Sequence, residues 1–456
     1  EMSKRLIAVL ALALVAGLAF APAYAEVQNV KVSGDITATG LTRNYYGLNY
    51  STTGDKSQFK QNLLMSQTRI RVDADLTDNV MATVRLINER VWNGQNDVSS
   101  SGNNAIDIDL AYATLKEFLY SPLSVTVGRQ EIKFGNGLIM GNAKVASGVT
   151  NIPTDLSERK AFDAIRATLN YDPLVIDAIY AKVRQTSYST TGTGPISDKN
   201  DINLMGVNAT YAINKKANVS GYYYLKNDNY KGGAAIPLGG KSDKVNTVGA
   251  LISVAPIDDL KASLEGAYQF GRNNATSLAE KNHDAWALQG LLDYTFTKIK
   301  MMPMVGASYT YLSGEKSDTI GNTRNGGWDP MFYDQKLNNI TYTLLPFTNM
   351  SVFNLKASCK PMDDVTIAAV YGYYNVAQKK DLSSFTSPFF YDGTNGISNS
   401  YTGKVHLGDA IDLSVTYDYT EDVQLALTGG WFKPGEALTS NEKNATQLIG
   451  SMKVVF

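Results

Sequence analysis

The chain has 456 residues, with 42 Lys+Arg against 43 Asp+Glu, a single cysteine and two histidines. Near-neutral charge excludes the basic field that nucleic acid requires, and one cysteine excludes an intrachain disulfide framework. With 27 Tyr and 38 Gly against 13 Pro, the composition suits a β-rich chain girdled by aromatics.

Lys4 and Arg5 precede an apolar run from Leu6 to Phe20, followed by Ala21-Pro-Ala-Tyr-Ala25. A charged start, an apolar stretch and an A-x-A end read as a secretory signal peptide over residues 1–25, leaving 26–456 as the mature chain. The run is shorter than the roughly 20 residues a spanning helix needs. Without Lys4, Arg5 and Glu1 the chain keeps 40 basic and 42 acidic residues, still close to neutral. No later segment offers a continuous apolar span, which excludes a helical membrane protein.

From Val30 onward, apolar and polar residues alternate in stretches of roughly 10–15 residues, the period of strands with two unlike faces. Eighteen such stretches are predicted, near 30–46, 60–76, 79–92, 104–117, 122–133, 161–171, 173–184, 200–213, 215–226, 244–255, 258–271, 283–297, 299–312, 350–361, 364–377, 404–419, 421–432 and 443–456. In 260–271, Leu260, Ala262, Leu264, Gly266, Tyr268 and Phe270 oppose Lys261, Ser263, Glu265, Ala267 and Gln269. At the chain's end Leu448, Gly450, Met452, Val454 and Phe456 share one face. A terminal Phe after such a strand resembles the assembly signal of bacterial outer-membrane barrels.

The connections alternate in length. Short ones carry turn residues, as at Thr77-Asp78, Ser121-Pro122, Asp172-Pro173, Asn214-Lys215, Asp258-Asp259, 361–364 and Glu421-Asp422. Longer polar loops lie near 47–59, 93–103, 134–160, 185–199, 227–243, 272–282, 313–349, 378–403 and 433–442. This asymmetry predicts an all-β fold: one transmembrane antiparallel barrel of about 18 strands, with short periplasmic turns and long extracellular loops. Its place is the outer membrane of a Gram-negative (diderm) bacterium, among outer-membrane lipids and lipopolysaccharide, inserted by the barrel assembly machinery. A soluble sandwich or propeller is the rival, but its strands are shorter and its inner faces are both buried.

Residues 128–141, Gly-Arg-Gln-Glu-Ile-Lys-Phe-Gly-Asn-Gly-Leu-Ile-Met-Gly, resemble a segment of the alginate-export family of outer-membrane porins. Phe162–Ala167, Asp177–Tyr180, Glu265–Gly271, Pro303–Tyr309 and His406–Leu413 follow in that family's order. The resemblance implies an eighteen-stranded channel, and for the family's namesake a strongly basic conduit for a polyuronate. Here the polar faces carry both signs. The expected function is a porin-like channel for passive diffusion or export of hydrophilic, anionic solutes or polysaccharide. The alternatives are a structural or adhesive barrel without transport, or an outer-membrane hydrolase.

Charge is costly against lipid, so the charged faces are placed inward. Arg69, Arg71, Arg85, Asp107, Asp109, Lys261, Glu265, Lys300 and Lys356 are the candidate channel-lining and selectivity residues. Asp73, Asp75, Glu89, Asp177, Lys360, Asp412 and Asp418 share those faces. Arg129 joins the candidates although it does not alternate cleanly with Val125 and Val127, which predicts a bulge or an inward turn. Two readings of these charges stand. Either opposite charges pair across the wall and stiffen it, or a basic ladder faces an acidic one and orients solutes.

Loop 134–160 holds Gly135, Gly137, Gly141 and Gly148 and the charged run Asp155 to Lys160. Glycines permit a tight fold-back into the lumen, where the loop would set the constriction; an exposed loop is the other reading. Loop 313–349 carries Trp328, Phe332, Tyr333, Tyr342 and Phe347, either as a lid offering stacking faces or as plain packing of a large surface loop. Enzyme chemistry lacks a motif. His283 and His406 have no Cys or His at ligand spacing, and Cys359 lies on an apolar face. Asp107 and Asp109 share a face, as lumen carboxylates commonly do. Neither cofactor nor metal is expected.

Overall fold

The computed structural model describes residues 29–46, 60–92, 106–143, 152–153, 155–184, 201–228, 243–273, 281–315, 324–379, 402–438 and 443–456. The signal-peptide segment 1–25 lies outside the described residues. The first half of the wall consists of β1 (Asn29–Asn44), β2 (Gln61–Thr77), β3 (Val80–Val91), β4 (Asp107–Leu115), β5 (Leu123–Gln130), β6 (Phe162–Asn170), β7 (Leu174–Arg184), β8 (Ile202–Asn214) and β9 (Ala217–Asp228). The second half comprises β10 (Asp243–Ile257), β11 (Leu260–Asn273), β12 (Lys281–Thr295), β13 (Met304–Leu312), β15 (Met350–Met362), β16 (Val365–Val376), β17 (His406–Asp418), β18 (Val423–Pro434) and β19 (Ala445–Val455). Between β13 and β15 come β14 (Arg324–Asn325), a two-residue strand beside β12, and the helix α1 (Asn339–Leu344).

Each wall strand pairs antiparallel with its neighbours, and β1 pairs with both β2 and β19, so that Asp35 faces Arg69 on one side and Val455 on the other. Eighteen strands thus close one barrel, and closure removes the edges that an open sheet would expose. The even count brings both ends of the wall to the short-turn, periplasmic side.

Alternation decides which side chains meet lipid. On β11 Leu264, Tyr268 and Phe270 are exposed outward, while Glu265, Ala267 and Gln269 between them are buried. Outward aromatics gather near strand ends: Trp286 stacks on Tyr311 toward the outer end, and Tyr120 and Tyr171 meet through their hydroxyls toward the periplasmic end.

The inner face is buried for a different reason. Residues 131–143 and 155–161, between β5 and β6, and residues 326–349, between β13 and β15, fold into the lumen. The hydrophobic core is therefore inside the barrel. Ile132, Leu138, Met140, Trp328, Tyr333 and Leu344 pack there against Phe162, Tyr224, Ala285 and Phe432 of the wall.

Two departures from the predicted strands matter for the site. Stretch 299–312 begins its strand only at Met304, because Pro303 has no N–H for the ladder and Met302 takes φ of 40°. Residues 296–303 form a turn instead. On β4, Arg85 faces Leu110 while Leu86 faces Ile108, so Asp109 is the extra residue of a bulge.

Candidate functional site

Segment 155–160 is tied to β1–β4 by ionic contacts. Arg43 pairs with Asp155, and Arg69 bridges Asp35 at 2.9 Å and Glu158 at 3.2 Å. Glu89, on β3, has no exposed side-chain surface. It accepts from Gln67 Nε2 (2.8 Å), Ser157 Oγ (2.9 Å), the Glu158 N–H (2.8 Å) and Arg159 Nε (3.0 Å). Four donors satisfy a charge that would otherwise be costly to bury.

The tip of the same loop reaches the opposite wall. Asn136 Nδ2 donates to Ser263 Oγ on β11 at 3.2 Å, and Phe134 stacks on Tyr224 of β9 with 6.3 Å between centroids. The second loop covers the remaining arc. Lys226 and Asp329 form a 2.5 Å ion pair, and Gln269 holds both the N–H and the carbonyl of Asp329 at 2.9 Å. Burial raises the Asp329 carboxyl and Lys226 more than offsets it, so the net displacement is downward. Asp412 of β17 accepts from the Asn339 N–H at 2.6 Å and from Ile340, filling the N-terminus of α1 that Asn338 leaves without a side-chain cap.

The two loops meet in the lumen. Phe332 and Met140 form a parallel bridge, the Phe332 N–H donates to Ile139 O at 2.9 Å, and the Asn142 N–H donates to Phe332 O at 2.9 Å. Gln335 Nε2 donates to Asn136 O at 2.8 Å. Lys133 and Lys160 both bind the Asp334 carboxylate, at 3.1 Å each. Burial opposes ionisation of Asp334, but Lys160 and then Lys133 outweigh it and hold the carboxyl below its usual range. Lys336, lying over the Tyr342 ring, donates to Asp155 O at 3.2 Å; desolvation among the lumen loops lowers its affinity for the proton.

The residues singled out from sequence fall in different places. Arg69, Arg71 and Arg85 stand on the inward face of β2 and β3. Arg71 pairs with Asp73 at 2.7 Å, and Arg85 joins Asp109 at 2.6 Å and also Glu131. Asp107 pairs with Arg159. Glu265 is buried on β11 and accepts from the Tyr222 hydroxyl at 2.8 Å, beside a cavity of about 10 Å³ lined by Phe134 and Tyr224. Lys261 and Lys356 face the periplasmic half of the lumen, on either side of Asp293 and Gly306 in the register.

Two expectations are corrected. Lys300 lies on the turn 296–303, outside the wall, because β13 starts after Pro303. Arg129 faces outward. The registers Ala111–Arg129 and Arg129–Asp163 run without a shift, so Arg129 keeps the face of exposed Val127. Its guanidinium is satisfied at the rim by Asp163 (3.2 Å) and by the Asp109 carbonyl (3.1 Å), and the bulge belongs to β4 instead. The aromatic loop is likewise no surface lid: Trp328, Phe332, Tyr333, Tyr342 and Phe347 pack inside the barrel.

Arg166 was missed, although its alternation with Ala164 and Thr168 marks it as inward. It pairs with Asp177 at 2.8 Å and lies over the Phe134 ring. Asp334 carried no signal, because a loop carboxylate becomes a lumen group only when its loop turns inward.

The alginate export family model matches residues 45–450. No curated protein matches the chain significantly in sequence. Among solved structures it is similar to three Pseudomonas aeruginosa proteins, each 11% identical over 94% of this chain. They are OccK11 (OpdR), covered over 97% with a TM-score of 0.56; OccK2 (OpdF) in complex with glucuronate, covered over 99% at 0.55; and OpdK with vanillate, covered over 100% at 0.55. A family match over most of the chain, on a closed barrel of eighteen strands whose charged faces turn inward, identifies the protein as a member of the alginate export family and an outer-membrane channel for solute passage or export.

Proposed function

We propose that this channel passes small hydrophilic anions, carboxylates foremost, in preference to a polysaccharide strand. The observation that carries the reading is the loop junction, where Lys133 and Lys160 share the single carboxylate of Asp334. One positive charge is left over there. Both lysine side chains are more exposed, at 49% and 32%, than Asp334 at 15%. A solute arriving at the junction therefore meets cations first.

Arg71 and Arg166 add accessible cations on the wall, since each is more exposed than its own partner, Asp73 or Asp177. Beside them the accessible partners of Arg85, Arg69 and Arg159 are acidic: Glu131, Glu158 and Asp107 stand forward of their arginines. Interleaved signs give a modest preference rather than a strict filter. Lys261 and Lys356 supply further weak sites toward the periplasm. Glucuronate and vanillate, found with two of the similar barrels, are both carboxylates, which supports the same solute class by analogy alone. A long polymer would need an open conduit, and the loops that meet across the lumen argue for small solutes.

Reversal potentials of the purified protein in planar bilayers, under a salt gradient, test the reading. Anion preference is expected; cation preference overturns it. Residues 1–25 are assigned as a cleaved secretory signal, for which N-terminal sequencing of the outer-membrane protein should begin near Glu26. No catalytic role is assigned. His283 bonds to Gln269 and His406 to Asp409, both as parts of the wall.

A further inference from the structure

We propose that Lys133 and Lys160 form a carboxylate-binding site which Asp334 fills in the resting channel, and that a solute carboxylate loosens the loop junction by taking its place. The inference rests on the anion reading above and adds a ligand-displaced latch to it.

The contacts have the form of a bound carboxylate. Lys133 Nζ reaches Asp334 Oδ2 at 3.1 Å and the Asp334 carbonyl at 3.2 Å, while Lys160 Nζ reaches Oδ1 at 3.1 Å and Oδ2 at 3.3 Å. A free carboxylate of the same shape makes the same charge-assisted bonds. Each ammonium has three N–H donors, so neither lysine is exhausted by one oxygen pair.

The main chain of Asp334 is held separately. Its N–H donates to Gly137 O at 2.8 Å, and Gly141 abuts its Cβ so closely that an added methyl would lie 2.5 Å away. The carboxylate is thus the exchangeable part of a tightly seated residue. Lys336, the next cation, is turned to the Asp155 carbonyl and does not compete for it. When solute takes the lysines, their clasp on the Asp334 carboxylate is lost, leaving the backbone bridge at Phe332, the Asp334 N–H on Gly137 O, the amide contacts of Gln335 and Lys336 on Asp155 O. Because Asp334 is tethered, it competes at an effective concentration of about millimolar or above, which makes solute binding weak and release fast.

Calorimetric titration of the purified barrel in detergent micelles tests the latch, with sodium gluconate as probe and glucose as neutral control, at low salt so that screening does not hide the effect. Asp334→Asn removes the competitor and is expected to bind gluconate about tenfold more tightly than wild type. Adding Lys133→Met and Lys160→Met to that variant should abolish the gain, and glucose should bind none of them. The latch is overturned if Asp334→Asn binds no more tightly, or if the lysine-free variant binds equally well. Should Asp334→Asn fail to insert, as judged by heat-modifiable migration, Lys133→Met alone decides. This half-exposed substitution should weaken gluconate binding several-fold, and unchanged affinity refutes the site. Reversal potentials from the same preparations separate the two layers. Anion preference without tightening in Asp334→Asn removes the latch alone, whereas cation preference in wild type removes the reading beneath it.

Discussion

The ring of the terminal Phe456 lies on Gly34 of β1. The Gly34 N–H donates to the Phe456 carbonyl at 2.8 Å, and the Phe456 N–H donates back to the Gly34 carbonyl at 3.0 Å. A Cβ at position 34 would stand 2.7 Å from the Phe456 ring and 2.6 Å from the Arg69 carbonyl. Phe456 therefore extends the β1–β19 seam against a position with no room for a side chain. Gly34→Val should destabilise the closed barrel by about 1–3 kcal/mol, as overpacking does. A smaller heat-modifiable fraction after outer-membrane fractionation would register it; wild-type assembly would refute that close packing.

Arg71 and Arg85 face each other across β2 and β3, yet differ in burial. Arg85 serves Asp109, whose side chain has no exposed surface, whereas Arg71 remains 37% exposed beside Asp73. Arg85→Ala strands a buried carboxylate and should cost about 3 kcal/mol, while Arg71→Ala should cost less than about 1 kcal/mol. Urea unfolding in micelles compares them, and equal losses would contradict the assigned burial.

Outward placement of Arg129 makes a selectivity test sharp. Arg71→Ala and Arg166→Ala should each move the reversal potential toward cations, and Arg129→Ala should leave it where it was. A shift from Arg129→Ala as large as that from Arg71→Ala would mean that the residue reaches the lumen after all.

Gly141→Val forces the first loop off the second, since an added Cβ meets the Asp334 Cβ at 2.5 Å. The strain, about 1–3 kcal/mol, falls on a loop and leaves the wall ladders intact. Single-channel conductance should rise. A fall, or no change, would show that the junction does not limit flow.

Asp334 ionises below the ordinary carboxyl value of about 4 because Lys160 and Lys133 outweigh its burial. Its contribution to the junction is therefore complete above that pH and is lost as pH falls through the depressed folded value. Conductance should be flat from about pH 8 to 5 and should rise only below about pH 4, a step absent from Asp334→Asn. A rise near neutrality would assign the change to another group.

The sequence by itself determined the wall. A period of two with unlike faces, repeated eighteen times, leaves each strand one way to face lipid, and short turns alternating with long loops set direction and topology. Inward placement of Arg69, Arg71 and Arg85 follows from that period, and Arg166 was open to the same argument. Tertiary structure alone decided what fills the lumen. Whether residues 134–143, 155–160 and 326–349 fold in or stay out depends on contacts between residues about 200 positions apart, such as Lys133 with Asp334, and no local period encodes these. Arg129 and Lys300 show the same limit at smaller scale. One unshifted register and one Pro303 turn moved them off the lumen, because a strand's face is fixed by its neighbours' hydrogen bonds and only its alternation by its own residues.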